Sequence, residues 1–508
     1  MSGLRTRAEE LLLGIDLGTS RLKLAAAVPS GRVIATASAS YPTNRSTSGH
    51  AEQDPGQWWS ALQAALNELG GSRGMTRAVD LGRIAAIGVA GQMHGVVATD
   101  ALGRPVRPCM TWEDSRAAAE LDDVLARITN ERAAQLSGSP LSAGFAAGLA
   151  RWLVRHEPGS VRRSKSFLQP KDWLRLRLTG ETATEPSDAS GTLLFDVTAG
   201  SWSKELLDAF EIEPGLLPPI IPSASVAGRL DPKVAADLGL MPRLPVVAGG
   251  GDAPTTALGA GTRAGARRQR GLLSFGTAAQ IAVAIDRPSV DIRSEYQLFR
   301  HVIAGEWLAV AAIPSAGSSI AWLAGLMLPD LDTGAAVTQL VAEAGQVPPG
   351  ARGVLFIPQL MGRRSPQTDP GATAAFVGLR IQHGRAELAR AVLEGVGHAL
   401  RDGLDALRSH GFRPDRLGLV GGAGDAHVWP RILSAVLDLE IERLADAAGA
   451  ALGAAALAAE GAGIAPAISV AGSPLGESIE APEADIAALR AIHESSWADA
   501  AFAYSQAT

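Results

Sequence analysis

Two acids stand among glycines where an apolar strand gives way to a turn: Asp16 in Gly14-Ile15-Asp16-Leu17-Gly18-Thr19-Ser20, and Asp252 after Gly249-Gly250-Gly251. Gly18 gives the backbone the freedom that a tight turn requires. A turn with successive N–H groups can hold phosphate oxygens, and Asp16 beside it is placed to meet a divalent cation carrying them. Asp252 emerges from a point where three glycines let other groups approach the backbone closely. It can cap the helix that follows, act as a general base, or do both.

The strand–turn–strand pattern returns in Gly271-Leu272-Leu273-Ser274-Phe275-Gly276-Thr277-Ala278-Ala279-Gln280-Ile281, about 260 residues after the first and roughly half the chain away. Two such halves predict two domains facing each other across a nucleotide, divided as 1–248 and 249–508. Between the turns, the apolar run Ile84–Ala90 opens directly onto Gly91-Gln92-Met93-His94-Gly95. Polar side chains just past the carboxyl end of a buried strand lie where open α/β sheets place ligands. Met110-Thr111-Trp112-Glu113-Asp114-Ser115-Arg116 adds an aromatic face, two acids and a guanidinium. That set suits a small polyhydroxyl ligand, although capping and an ion pair would account equally for Asp114 and Arg116.

The elements that must position these residues are legible in outline. Leu11–Ala25 reads as a hairpin, and Val33-Ile34-Ala35 as further strand; 42–56 is polar and turn-rich. Pro55 precedes a helical pattern through Trp58, Trp59, Leu62, Leu66 and Leu69. Residues 117–180 are mainly helical, 187–192 reads as a polar turn, and 213–225 is a proline-rich connection over the surface. Leu244–Ala248 is a buried strand; Gly317 belongs to a turn before a helix with Trp322, and Gly353–Pro358 is a strand followed by the basic loop Gly362-Arg363-Arg364-Ser365-Pro366. A long helix covers 386–408, and Leu417–Val420 leads into Gly421-Gly422-Ala423-Gly424. Ala450-Ala451-Leu452-Gly453-Ala454-Ala455 is a small-residue helix start, suited to close packing or to an adenine ring against the backbone.

Composition narrows the class. Hydrophobic residues make up 46% and charged residues 19% of 508, as in a folded globular protein. A net charge of -6 argues against nucleic-acid binding, and the single Cys109 excludes an internal disulfide framework. No apolar run reaches membrane-spanning length and Met1–Glu10 lacks a signal-peptide core, so a cytoplasmic protein away from membranes is expected. The P-loop, Gly-x-Gly-x-x-Gly and His-Glu-x-x-His patterns are absent.

Taken in order, these motifs, with Glu52-Gln53-Asp54-Pro55, Pro170-Lys171-Asp172 and Glu387–Gly397, resemble the FGGY carbohydrate kinases over nearly the whole chain. The resemblance implies an α/β, two-domain actin/hexokinase-like ATPase fold (ribonuclease H-like domains) with ATP, Mg²⁺ and a sugar in the cleft. It implies phosphoryl transfer to a small ketose, with D-xylulose, giving xylulose 5-phosphate, as the first expectation. Another pentulose, a polyol, or a sugar- or nucleotide-binding protein without turnover are the alternatives. Carried over, Asp252 is the catalytic base, and Asp16 positions the metal. Gln92, Met93, His94, Trp112, Asp114 and Asp252 are the sugar contacts. Gly18, Thr19, Ser20, Lys23, Gly276, Thr277, Gly317, Gly421, Gly422, Ala451 and Gly453 face the nucleotide. Homodimerisation is a family-level expectation. The chain departs from the family at Ala253 (Asn), which leaves the sugar's identity open, and at Ala278 (Ser), Arg363 (Glu) and in the Ala423–Ala426 loop, which leave the nucleotide affinity open.

Overall fold

The computed structural model describes residues 10–46, 49–71, 79–422, 427–444, 449–467 and 477–501. Two large sheets carry the fold. The first runs in the order Val226–Arg229, Pro245–Val247, Ile84–Gly91, Leu11–Leu17, Arg21–Ala27, Val33–Ser40, with Gly250–Gly251 also paired to Ile84–Gly91. The second runs Gln297–Arg300, Trp307–Ile313, Ala279–Ile285, Arg270–Phe275, Arg416–Val420, Glu440–Arg443, Glu477–Ile479. The repeat seen in the sequence extends to topology. Leu11–Leu17 has an antiparallel partner in Arg21–Ala27 and a parallel one in Ile84–Gly91. Arg270–Phe275 likewise pairs antiparallel with Ala279–Ile285 and parallel with Arg416–Val420.

Leu11–Leu17 is almost continuously apolar because both of its faces are covered. Leu11, Leu13, Ile15 and Leu17 pack with Trp58, Leu62 and Leu66 of the helix Pro55–Leu69, whose start is set by Pro55 and the Asp54 cap. Leu12 faces the other way, into the core that holds Leu452, Ala455 and Ala456 of the helix Ala450–Gly461. This second helix sits unusually close. A Cβ on Gly14 would lie 1.7 Å from the Ala451 carbonyl oxygen, and one on Gly88 would lie 1.9 Å from that of Ala454. A Cβ on Gly453 would lie 2.0 Å from the carbonyl of Thr255, in the helix Asp252–Gly259. Glycines on both sides thus let backbone rest on backbone.

That contact ties late parts of the chain to the first sheet. Residues after 249 return to the first sheet twice, as Gly250–Gly251 and as Ala450–Gly461, so a cut between 248 and 249 passes through one packed body. Two local readings change. The polar stretch at 187–192 begins as a short buried helix, Pro186–Ser190, because Glu185 caps it by accepting from the N–H groups of Ser187 and Asp188. Within 42–56, Asn44–Arg45 and Ala51–Gln53 form strands, and the latter also pairs with Cys109–Met110. Among the described residues no helix is long and apolar enough to cross a membrane.

Candidate active site

A cavity of about 200 Å³ opens between the two sheets. Thr19, Met93, His94, Trp112 and Asp252 line it from the first sheet's side; Gln280, Gln297, Phe299 and Arg364 line it from the second.

The glycine run before Asp252 fits its surroundings closely. Gly249 has φ +83°, and a Cβ there would meet the Val89 carbonyl oxygen at 1.7 Å. A Cβ on Gly251 would press on the Met93 side chain at 2.7 Å. The Gly251 N–H donates to Ser187 Oγ at 3.0 Å, and the Ser187 hydroxyl donates to Glu185 at 2.7 Å. Glu185 in turn lies 3.6 Å from Lys171 Nζ, which bonds Asp172 at 2.7 Å and Asp188 at 3.2 Å. Burial alone would lower the Lys171 ammonium, but these carboxylates together raise it above its ordinary value. The Pro170-Lys171-Asp172 motif therefore supports, from inside the first domain, the backbone that launches Asp252.

Asp252 itself is pushed up to about 7, first by burial and then by the charge of Asp16. Asp16 is pushed up to about 6 by burial, which the opposing charge of Lys23 only partly offsets. Lys23 faces Asp16 across the hairpin register. Asp16 Oδ1 has no hydrogen-bond partner although it is shielded from solvent. Two carboxylates that repel each other, one of them with a shielded oxygen that no donor reaches, form a site that a cation or a proton would stabilise.

His94 adopts a left-handed backbone conformation, φ 70°, and its Nδ1 lies 2.6 Å from the Gly191 carbonyl oxygen. Burial pushes the ring down to about 4, so it is neutral near pH 7. A carbonyl can only accept, so Nδ1 carries the proton and Nε2 offers a lone pair to a ligand hydroxyl. Trp112 lines the same wall, and its indole N–H donates to Thr19 Oγ1 at 3.0 Å, joining this aromatic to the first turn.

The two turns spend their glycine amides internally: Gly18 N–H donates to Arg21 and Gly276 N–H to Ala278. At the second turn, Gly317 N–H donates to the Gly276 carbonyl at 3.0 Å, and a Cβ on Gly421 (φ +100°) would meet the Phe275 carbonyl oxygen at 2.3 Å. Gly276, Thr277, Gly317 and Gly421 thus gather at the end of one strand, while Gly422 faces open space. Ser20 is exposed at the tip of the first turn. The Ala423–Ala426 part of the loop lies outside the described residues.

Four of the expected contacts also have partners or close packing within the protein. Asp114, fully buried, accepts from the Ala51 N–H at 2.8 Å and pairs with Arg116 at 2.6 Å, which also reaches Glu52. Gln92 donates to Gln53 Oε1, and Gln53 donates to the Thr19 carbonyl at 2.6 Å while accepting from the Trp58 indole. Ala451 and Gly453 are consumed by the backbone packing described above. Gln280, Gln297 and Arg364 line the cavity without having been singled out as site residues. Arg364 alone carried a signal, as part of a basic loop.

Gln53 makes a prediction here. Gln53→Met removes a side chain that serves four partners and leaves buried polar groups unpaired, at a cost of about 1–3 kcal/mol. Urea denaturation would measure the loss, and an unchanged midpoint would show that the Thr19 turn holds itself.

Known proteins agree with this architecture. Residues 11–259 match the family model described as "FGGY family of carbohydrate kinases, N-terminal domain", and 271–462 match its C-terminal counterpart. The chain is 37% identical over 454 residues to the xylulose kinase of Escherichia coli (strain K12), covering 88% of this chain and 89% of that one. The xylulose kinase of Klebsiella pneumoniae is similar to the same extent. The crystal structure of xylulose kinase from Rhodospirillum rubrum superposes with a TM-score of 0.86 at 30% identity, over 97% of this chain and 99% of that one. With both domain models matched in order around one acid-bearing cleft, the chain belongs to the FGGY family of carbohydrate kinases.

Proposed function

We propose that this kinase transfers the γ-phosphoryl group of ATP to D-xylulose, giving D-xylulose 5-phosphate, with Asp252 as general base. The observation that carries the reading is Asp252 itself: a carboxylate at the cavity wall, held near 7, is poised to take a proton from an attacking hydroxyl. His94 Nε2 accepts from a second hydroxyl, and Trp112 offers an apolar face to the sugar's carbon edge. Little covalent chemistry is asked of the protein, which must align the hydroxyl, neutralise charge and exclude water.

Mg²⁺ fits Asp16, whose unpartnered oxygen and raised proton affinity mark a position short of positive charge. When bound, the metal neutralises charge on the phosphates; Asp16 would hold it through its water shell. Thr19, Ser20 and Thr277 are the residues we assign to the phosphates, and Gly317, Gly421 and Gly422 to the nucleotide. A cytoplasmic homodimer is the expected form, which light scattering would check.

The test is ADP release with Mg²⁺-ATP over a panel of pentuloses, hexuloses and polyols. D-Xylulose should give the highest kcat/KM. A higher value for another sugar would reassign the substrate, and Ala253, which cannot bond a hydroxyl, would be the first position to answer for it. No turnover with any sugar would overturn the kinase reading.

A further inference from the structure

Among the described residues that line the cavity, Arg364 is the one cation, as Asp252 is the one acid. The basic loop that carries it is braced on both sides of the side chain. Arg363 and Asp369 exchange backbone hydrogen bonds at 2.8 Å in each direction. Ser365, itself buried, accepts from the Ala312 N–H of the second sheet at 3.1 Å, and the Met361 N–H donates to Ser315 Oγ at 3.0 Å. The guanidinium projects from this frame into the cavity and has neither a hydrogen bond nor an ion pair among the described residues. Burial lowers its proton affinity, with no carboxylate opposing that effect, and its charge reaches His94 across the space. The position before it holds Arg363, which is turned to Asp369 and the Gln367 carbonyl and supplies no counter-charge.

A guanidinium is a pure donor, with five N–H groups in a planar fork. Half-buried at the cavity wall with no partner among the described residues, Arg364 leaves its N–H groups to water until a ligand supplies acceptor oxygens. The remaining polar groups on its wall, Gln280 and Gln297, are neutral and can both donate and accept. We infer that Arg364 is a specificity-determining residue that donates from the second domain to the carbonyl oxygen of the acceptor ketose. The first domain's Asp252 and His94 hold the same molecule's hydroxyls from the opposite side. The inference rests on the sugar-kinase reading above and adds how a ketose is told from its reduced polyol. A carbonyl oxygen only accepts and has no hydrogen to turn toward the guanidinium. A hydroxyl in its place brings a hydrogen of its own, for which the guanidinium offers no acceptor.

The experiment compares D-xylulose with the matching pentitols in the intact enzyme and in Arg364→Met and Arg364→Lys. It measures kcat/KM with ATP and, separately, sugar affinity by calorimetry without nucleotide. Folding is checked by circular dichroism and melting temperature. A hydrogen bond to a charged donor is worth about 10–150-fold, so Arg364→Met should lose that much kcat/KM for the ketose and under about 3-fold for the polyol, with KM for ATP unmoved. Arg364→Lys, which keeps the charge and loses the fork, should fall between them. Equal losses for ketose and polyol, or no loss for either, would overturn the inference. Should the parent enzyme phosphorylate no sugar, the kinase reading fails on its own, and the ratio of ketose to polyol affinities in the same variants still decides the role of Arg364.

Discussion

Replacing Asp252 with asparagine is expected to slow phosphoryl transfer by about 10²–10⁴-fold, the contribution of a positioned general base, and at the same time to make the protein more stable above neutral pH. Both effects have one cause. The carboxylate is held at about 7 because it is buried and lies near Asp16. Its proton is bound more tightly in the folded chain than in the unfolded one, whose ordinary value is near 4. The folding advantage of the protonated group is therefore complete at acid pH and is lost as pH rises through 7, where the charge has to form inside the cleft. Asparagine never ionises, so the variant's melting temperature should draw ahead of the parent's between pH 4 and 7 and keep that lead above it. The parent's kcat/KM should fall about tenfold per unit below pH 7 as the base becomes protonated. A variant that is slow but no more stable at pH 8.5 than the parent would show that Asp252 does not carry the charge assigned to it.

Gly14→Ala should be among the most damaging substitutions in the chain, at or beyond the ~4–5 kcal/mol that marks the extreme of single changes. The new Cβ would stand 1.7 Å from the Ala451 carbonyl oxygen, with the Ala455 amide nitrogen at 2.9 Å. Neither is the end of a flexible side chain. Relief requires moving the helix Ala450–Gly461 away from a sheet it touches over much of its length, or bending the central strand. Gly215→Ala is the control, because a Cβ there would meet nothing within 4 Å. Equilibrium unfolding of both variants decides the matter. A Gly14→Ala protein within 1 kcal/mol of the parent would mean that the helix slides easily over the sheet.

The parts of this protein that could be read from its residues are those in which local chemistry and chain position coincide. Asp16 and Asp252 stand out because glycines are spaced around them where a strand must end, and Asp252 lines the cavity while its carboxylate feels the charge of Asp16. The duplicated hairpin was legible because the two Gly-Thr turns repeat a whole pattern, and the sheets repeat it down to strand direction. The neighbours of Asp114 and Gln92 were not legible, because a polar side chain near a site looks the same whatever it faces. These neighbours, Ala51, Glu52 and Gln53, are brought to them by strand pairing that no short stretch encodes. The small-residue start at Ala450 was compatible with packing or with an adenine ring. The deciding partner, Gly14, lies at the other end of the chain. Arg364 depends on a loop anchored by Ser365 to a strand some fifty residues earlier, and its direction into the cavity follows from that anchor together with the bonds at Met361 and Arg363.

The helix Ala450–Gly461 also imposes an order in time. The ribosome delivers Gly14 and Gly88 long before it delivers the helix whose backbone must rest on them. At about 5–20 residues per second, roughly 20–90 s separate the synthesis of the first strand from that of its cover. Throughout that interval the glycine-lined face of the first sheet has nothing to close it. The growing chain must therefore carry an unfinished apolar surface until that helix emerges, and folding of the first domain can be completed only after most of the second has been made.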